Sequence, residues 1–383
     1  MPNPYSNIPT PYYLIDLPAL TRNLQILQSV KQQTGCKILL AQKAFSMFSL
    51  YPLIGQYLDG TAASGLFEAR LGHGEMGGET HVFAAAYRPD EMDEILDICD
   101  HVIFNSFSEW ERYRGKALRA GKQYGIRVNP EHSTQDNALY DPCAPGSRLG
   151  VTWENFRPEL LGGITGLHFH TLCEQNSDAL ISTLAVVEQK WSPYFPSLRW
   201  INMGGGHHIT RPDYDIGALV DCVRGFRARY GLDVYLEPGE AVALDAGVLV
   251  SSVLDIVENG DVCIAILDAS ATCHMPDVLE APYRPEAELQ AGGHKSGAPG
   301  EKAHTVRLAG PTCLAGDVVG DYSFDEPLVP GDRVVFRDMA IYTMVKNNTF
   351  NGVCPPSIAV MDETGNLRLI KSFGYEDFRA RLS

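Results

Sequence analysis

The sequence predicts an α/β chain, a (β/α)8 TIM barrel followed by a C-terminal β domain. Three observations carry that prediction. Before residue 245, eight short apolar or β-branched runs alternate with helical patterns, which is the count of a closed barrel. No glycine-rich turn follows the first run, as an open doubly wound sheet would require. From residue 246 the texture changes to successive strand-like runs separated by turns such as PGD and ETGN, the pattern of an all-β domain. At 383 residues the chain is long enough to bury a core in each.

In chain order, residues 12–17 (YYLIDL) read as a strand that precedes the barrel and belongs with the β domain. The expected division is therefore 20–245 for the barrel, and 1–19 with 246–383 for the β-rich domain. Barrel strands are expected at 37–43, 59–64, 80–85, 101–106, 124–129, 163–170, 198–204 and 233–238. Helical patterns lie between them at 89–99, 108–121, 178–191 and 215–231, the first opening on Pro-Asp, a good helix start. Residues 140–150 (YDPCAPGSRLG) form a long loop after the fifth strand, where barrels carry functional insertions. In the second domain, strands are expected at 248–257, 261–267, 304–310, 333–339, 357–362 and 367–372. The stretch 283–304, rich in Gly, Ala and Pro, reads as a mobile surface loop.

Charge narrows the function. Forty-seven acidic residues against 31 basic ones leave a net charge of −16, which argues against nucleic acid and anionic membrane and suits a small cationic substrate. The nine cysteines contain no CxxC pair and read as reduced cytoplasmic thiols. The N-terminus lacks the charged region and apolar core of a signal peptide, and no run of 18 apolar residues exists, so a soluble cytoplasmic protein is expected. The His/Cys stretches HFHTLC, GGGHH and CHMPD lack metal-ligand spacing, so no metal is expected.

Catalytic groups of a barrel sit at the C-terminal ends of its strands. Those ends carry, in order, Lys43, Ser64, Asn105, Arg127, His170, Gly204-Gly205-Gly206 and Glu237. Three consecutive glycines let backbone N–H groups approach an anion closely. A strand-end amine beside a phosphate cradle suits a phosphorylated aldehyde, and pyridoxal 5'-phosphate needs both. Glu237 then serves the ring nitrogen, keeping the pyridine protonated and electron-withdrawing. His170 is placed to stack on the ring, while His168 reads as a satisfied barrel histidine.

In this order the motifs resemble those of the fold-type III pyridoxal-phosphate decarboxylases, the group of ornithine, arginine and diaminopimelate decarboxylases, over nearly the whole chain. The resemblance implies the alanine racemase-like arrangement of barrel and sheet. LLAQKAFS implies Lys43 as the lysine that binds the aldehyde, and TAASGLFE implies Ser64 at the cofactor. GIRVNP supplies Arg127, HFHTLC the ring-stacking His170, NMGGGHH the phosphate loop and LEPGEA the pyridine partner Glu237. AGPTCLAGD implies Cys313 as the catalytic cysteine with Asp317 close by, and AIYTMVKNNTFNG implies Tyr342 at the phosphate. A head-to-tail homodimer with shared active sites is implied as well, the cysteine reaching the neighbouring subunit's barrel.

One departure separates the chain from the amino-acid decarboxylases of that group. Where they commonly carry arginine after Glu-Pro-Gly, this sequence has Glu240. The pattern looks most like the branch that acts on carboxynorspermidine and carboxyspermidine in polyamine biosynthesis. That implies a small cationic carboxylated triamine as substrate, held by Asp277 of CHMPDVLE and by Glu240 and Asp317. A decarboxylase of diaminopimelate, ornithine, lysine or arginine is the alternative on the same fold. A racemase is disfavoured by Glu237 and the Cys313 motif, and a bare cofactor carrier by the large β domain.

Overall fold

The computed structural model describes residues 8–135, 137–291 and 293–383. Residues 1–7 of the expected N-terminal segment, and Gly292 of the expected loop, lie outside the described residues. The chain divides into two compact units, one over Arg22–Val242 and the other formed by the sequence on either side of it.

After β1 (Tyr12–Asp16), each of the eight expected runs forms a strand: β2 (Lys37–Ala41), β3 (Gly60–Ala63), β4 (Glu79–Phe83), β5 (His101–Phe104), β6 (Gln123–Arg127), β7 (Gly166–His168), β8 (Trp200–Asn202) and β9 (Asp233–Leu236). They pair in parallel in sequence order, and β9 returns to β2 through Lys37↔Tyr235 and Ile38↔Leu236, closing the barrel. Leu39, Ile103, Trp200 and Tyr235 fill its interior. The Trp200 indole lies directly over two glycines of neighbouring strands: a Cβ at Gly166 would stand 2.1 Å from it, and one at Gly125 2.5 Å. These strands carry glycine because the tryptophan takes the space.

Between the strands, Phe107–Ala120 is capped by Ser106, whose side chain accepts from the Glu109 N–H, and ends on the left-handed Gly121. Ile216–Tyr230 follows the same rule with Asp215 and Gly231. The helix expected to open on Pro89-Asp90 starts later, at Met92. Asp90 is engaged instead by the Arg88 guanidinium at 2.8 Å, so the Pro-Asp pair is spent in the preceding turn.

The second unit is a mixed sheet with the path β14-β13-β11-β10-β1-β16-β17, joined by β15 and β12. Its strands are β10 (Gly247–Asn259), β11 (Val262–Leu267), β12 (Ala287–Leu289), β13 (His304–Ala309), β14 (Val318–Phe324), β15 (Arg333–Phe336), β16 (Ser357–Met361) and β17 (Leu367–Lys371). The N-terminal β1 lies inside this sheet, antiparallel to β10 and parallel to β16. Tyr13 enters one buried cluster and Tyr12 and Leu14 another, so both faces of β1 are covered. That explains its unbroken apolar run.

The stretch expected to be a mobile loop is partly sheet. Residues Ala287–Leu289 pair antiparallel with β15, Ala287 and Glu288 are buried, and Gly297 bridges to Ser323. Strand β14 was not expected, because Gly320 and Asp321 interrupt its apolar pattern; pairing with β13 and the Arg307–Asp321 ion pair at 2.7 Å hold it. Among the described residues, no helix is long and apolar enough to cross a membrane.

Candidate active site

Lys43 stands two residues beyond β2, after the strand has delivered the chain to the barrel mouth. Its Nζ lies 3.5 Å from His170 Nε2. The amine opens to the mouth yet is ringed by protein atoms, and that desolvation, with the Arg127 charge, lowers its pKa. His170 Nδ1 accepts the Gly205 N–H at 2.8 Å, so a neutral ring carries its proton on Nε2, toward Lys43. Burial, followed by the charges of Lys43 and Arg127, pushes the His170 pKa well down. Lowering the amine's pKa raises the share of the lysine that has a free lone pair for attack on a carbonyl.

Gly204 and Gly206 have φ values of 72° and 80°, in the left-handed region that favours glycine. A Cβ at Gly204 would stand 2.5 Å from the Phe169 carbonyl, and one at Gly205 2.4 Å from that of Glu237. The Gly204 and Gly205 N–H groups go to Asn202 Oδ1 and His170 Nδ1. Two of the donors expected to form a phosphate nest are thus spent on ordering the site.

Each oxygen of Glu237 has its own partner: Asn202 Nδ2 at 2.7 Å and His168 Nε2 at 3.3 Å. Burial pushes the carboxyl up, but His168 and Asn202 outweigh it and bring the pKa to about 2. Glu237 is therefore anionic throughout the neutral range. His168 is not merely packed in the barrel: it and Asn202 hold the Glu237 carboxylate, contacts that the sequence did not reveal. Arg127 is buried, lies 4.5 Å from the centre of the Phe83 ring and donates from Nη2 to the His170 carbonyl at 3.0 Å. Desolvation lowers its pKa to about 10, which leaves it charged at neutral pH.

The other rim residues have more local surroundings. Ser64 is exposed at the end of β3, its N–H taken by Glu68 Oε2 at 2.6 Å. Asn105 fastens the long loop after β6, donating to the Arg148 carbonyl at 2.8 Å and accepting the Gly150 N–H at 2.7 Å. Glu240 is buried and paired with His208 Nε2 at 2.9 Å.

Within the sheet unit, Cys313 is exposed and its N–H donates to Asn351 Oδ1 at 2.7 Å, which ties the GPTC loop to the FNG turn. Asp317 is buried beneath that loop and held by the hydroxyls of Ser270 and Thr312 and the Thr272 N–H. Its carboxylate orders the loop bearing Cys313 rather than standing free. Asp277 and Glu280 share the Lys346 ammonium, and Tyr342 has a positive φ of 51°.

The barrel residues fit pyridoxal phosphate: an amine whose proton is weakened by burial, a neutral imidazole oriented by the glycine loop, a permanent carboxylate, and a glycine loop packed too closely against neighbouring backbone to admit side chains. A separate group, Glu79, His81 and His101, lies at the N-terminal ends of β4 and β5, with its possible ligand atoms within 4.8 Å of one another. The two imidazoles are stacked 3.8 Å apart at 10°, their Nε2 atoms lie 3.0 and 3.8 Å from Glu79 Oε2, and Lys37 pairs with the other oxygen of Glu79.

Comparison with known proteins places these features. Residues 12–340 match the family described as pyridoxal-dependent decarboxylase, C-terminal sheet domain. A carboxyaminopropylagmatine decarboxylase from Synechocystis is 42% identical over 98% of this chain and 96% of its own length. The crystal structure of carboxynorspermidine decarboxylase from Campylobacter jejuni, complexed with norspermidine, superposes with a TM-score of 0.89 at 40% identity, covering 98% of this chain and 100% of that one. A diaminopimelate decarboxylase from Helicobacter pylori shares the fold, with a TM-score of 0.83 at 17% identity over 99% of this chain and 98% of its own.

Proposed function

We propose a substrate for a chain that belongs to the pyridoxal-dependent decarboxylases: a carboxylated triamine, carboxynorspermidine or carboxyspermidine, which loses CO2 to leave norspermidine or spermidine. The observation that carries this reading is full-length similarity, at 40% identity, to an enzyme whose crystal structure holds norspermidine.

Bound pyridoxal phosphate supplies a protonated ring that accepts the electrons of the breaking Cα–carboxylate bond. Lys43 would hold the cofactor through its amine, the nucleophile that the aldehyde requires. Glu237 keeps the proton on the ring nitrogen. His170 would flank the cofactor, held in place by Arg127 and by the Gly204–Gly206 loop, and Ser64, the Gly206 end of that loop and Tyr342 would hold the phosphate. Cys313 of the partner subunit gives a proton to Cα after CO2 leaves, which makes the working unit a head-to-tail homodimer. Asp277 and Glu240 face the cationic arm.

The Synechocystis relative supports a second reading, carboxyaminopropylagmatine, in which a guanidinium replaces the terminal ammonium. CO2 release by the loaded enzyme separates the two when carboxynorspermidine, carboxyspermidine, carboxyaminopropylagmatine, diaminopimelate, ornithine, lysine and arginine are compared. Fastest release from the two carboxylated triamines is expected. Preference for the guanidinium compound installs the second reading, and preference for a simple amino acid overturns both.

A further inference from the structure

His208 follows the glycine loop and is 6% exposed. Its Nε2 meets Glu240 Oε2 at 2.9 Å, while its Nδ1 is buried without a hydrogen-bond partner. Glu240 is therefore the ring's one polar side-chain anchor among the described residues. The same loop is stitched to the turn after β9 on either side of this pair. The Glu237 N–H donates to the Gly204 carbonyl at 2.7 Å, and Thr210 Oγ1 donates to the Ala241 carbonyl at 2.7 Å. Glu240 stands three residues beyond Glu237, and its charge reaches the Lys43 amine at the barrel mouth.

An ionised carboxylate accepts through both oxygens. Left to itself, a glutamate side chain spreads over several rotamers, and fixing it costs entropy at each binding event. We propose that His208 is the positioning residue for Glu240, holding one carboxylate oxygen so that the other is presented to the internal secondary ammonium of the substrate. This rests on the triamine reading and gives it a residue that selects for the internal nitrogen. A chain that carries a methylene at that position gains nothing from the oriented carboxylate, and it leaves a buried acceptor without a donor.

The test compares wild type, His208→Leu and His208→Gln on carboxynorspermidine and on an analogue with a methylene in place of the internal nitrogen. The glutamine amide N–H can stand where Nε2–H stood; leucine has no donor. For His208→Leu, KM for the triamine is expected to rise about tenfold or more, with kcat falling much less and KM for the analogue unmoved. His208→Gln is expected to recover most of that loss. The visible absorbance of the bound cofactor and the melting temperature report folding and loading independently of turnover.

An unchanged ratio of the two KM values in His208→Leu overturns the proposal. So does a loss of cofactor absorbance with that ratio intact, which would assign His208 to the cofactor loop instead. If wild type does not decarboxylate the triamine at all, the substrate reading fails and this inference falls with it. Turnover with unchanged selectivity sinks this inference alone.

Discussion

Burial by itself would push the Glu237 carboxyl up, yet the strand register reverses the sign. His168 and Asn202 are paired neighbours on β7 and β8, and Asn202 pairs with Tyr235 on β9, two residues before Glu237. Both partners therefore arrive at the carboxylate from adjacent strands. Glu237→Gln keeps the shape and removes the charge; kcat is expected to fall by roughly 10²–10³-fold with the cofactor still bound, read from turnover and visible absorbance. Because folding depresses this carboxyl to about 2, its stabilisation is present above the ordinary carboxylate range and is lost as pH falls toward 2. The glutamine variant should lack that part of the acid-side loss, measured by thermal melts across the window. Lys43 and Glu237 were legible because each ends an apolar run with a group that a strand end does not need. Their partners were not, since only barrel closure brings residues 168, 202 and 237 together.

Among the elements, the loop after β8 is the most constrained. Gly204→Ala places a Cβ at φ 72° and 2.5 Å from the Phe169 carbonyl, so the loop must move. Stability should drop by about 1–3 kcal/mol and cofactor affinity about tenfold or more, checked by melting and by titration of the apoenzyme. The result that would contradict this is a variant that melts and binds like wild type. All eight barrel strands were visible because parallel strands buried on both faces read as apolar runs. Strands β12 and β14 were hidden for a different reason. The first is three residues inside a Gly/Ala/Pro-rich stretch, and the second carries Gly320 and Asp321; each is held by its neighbours rather than by its own pattern.

At the scale of the whole molecule, β1 and β10 belong to one sheet although the barrel lies between them in sequence. The apolar residues 12–17 gave that away before any pairing was known. Subunit assembly is of another kind, because no run or spacing within one chain encodes which face meets its copy. If Cys313 acts across subunits, Lys43→Ala and Cys313→Ala homodimers are each strongly impaired, and their co-refolded mixture regains about a quarter of wild-type CO2 release. A mixture no more active than its parents would place both residues in one subunit's site.

We propose that Lys43, at the mouth of β2, carries the cofactor. Borohydride reduction of the loaded enzyme, followed by peptide mass spectrometry, tests it most directly. The pyridoxyl phosphate mass is expected on the peptide containing Lys43 and is expected to be lost in Lys43→Ala. Label on any other lysine, or an undiminished yield in that variant, would contradict it.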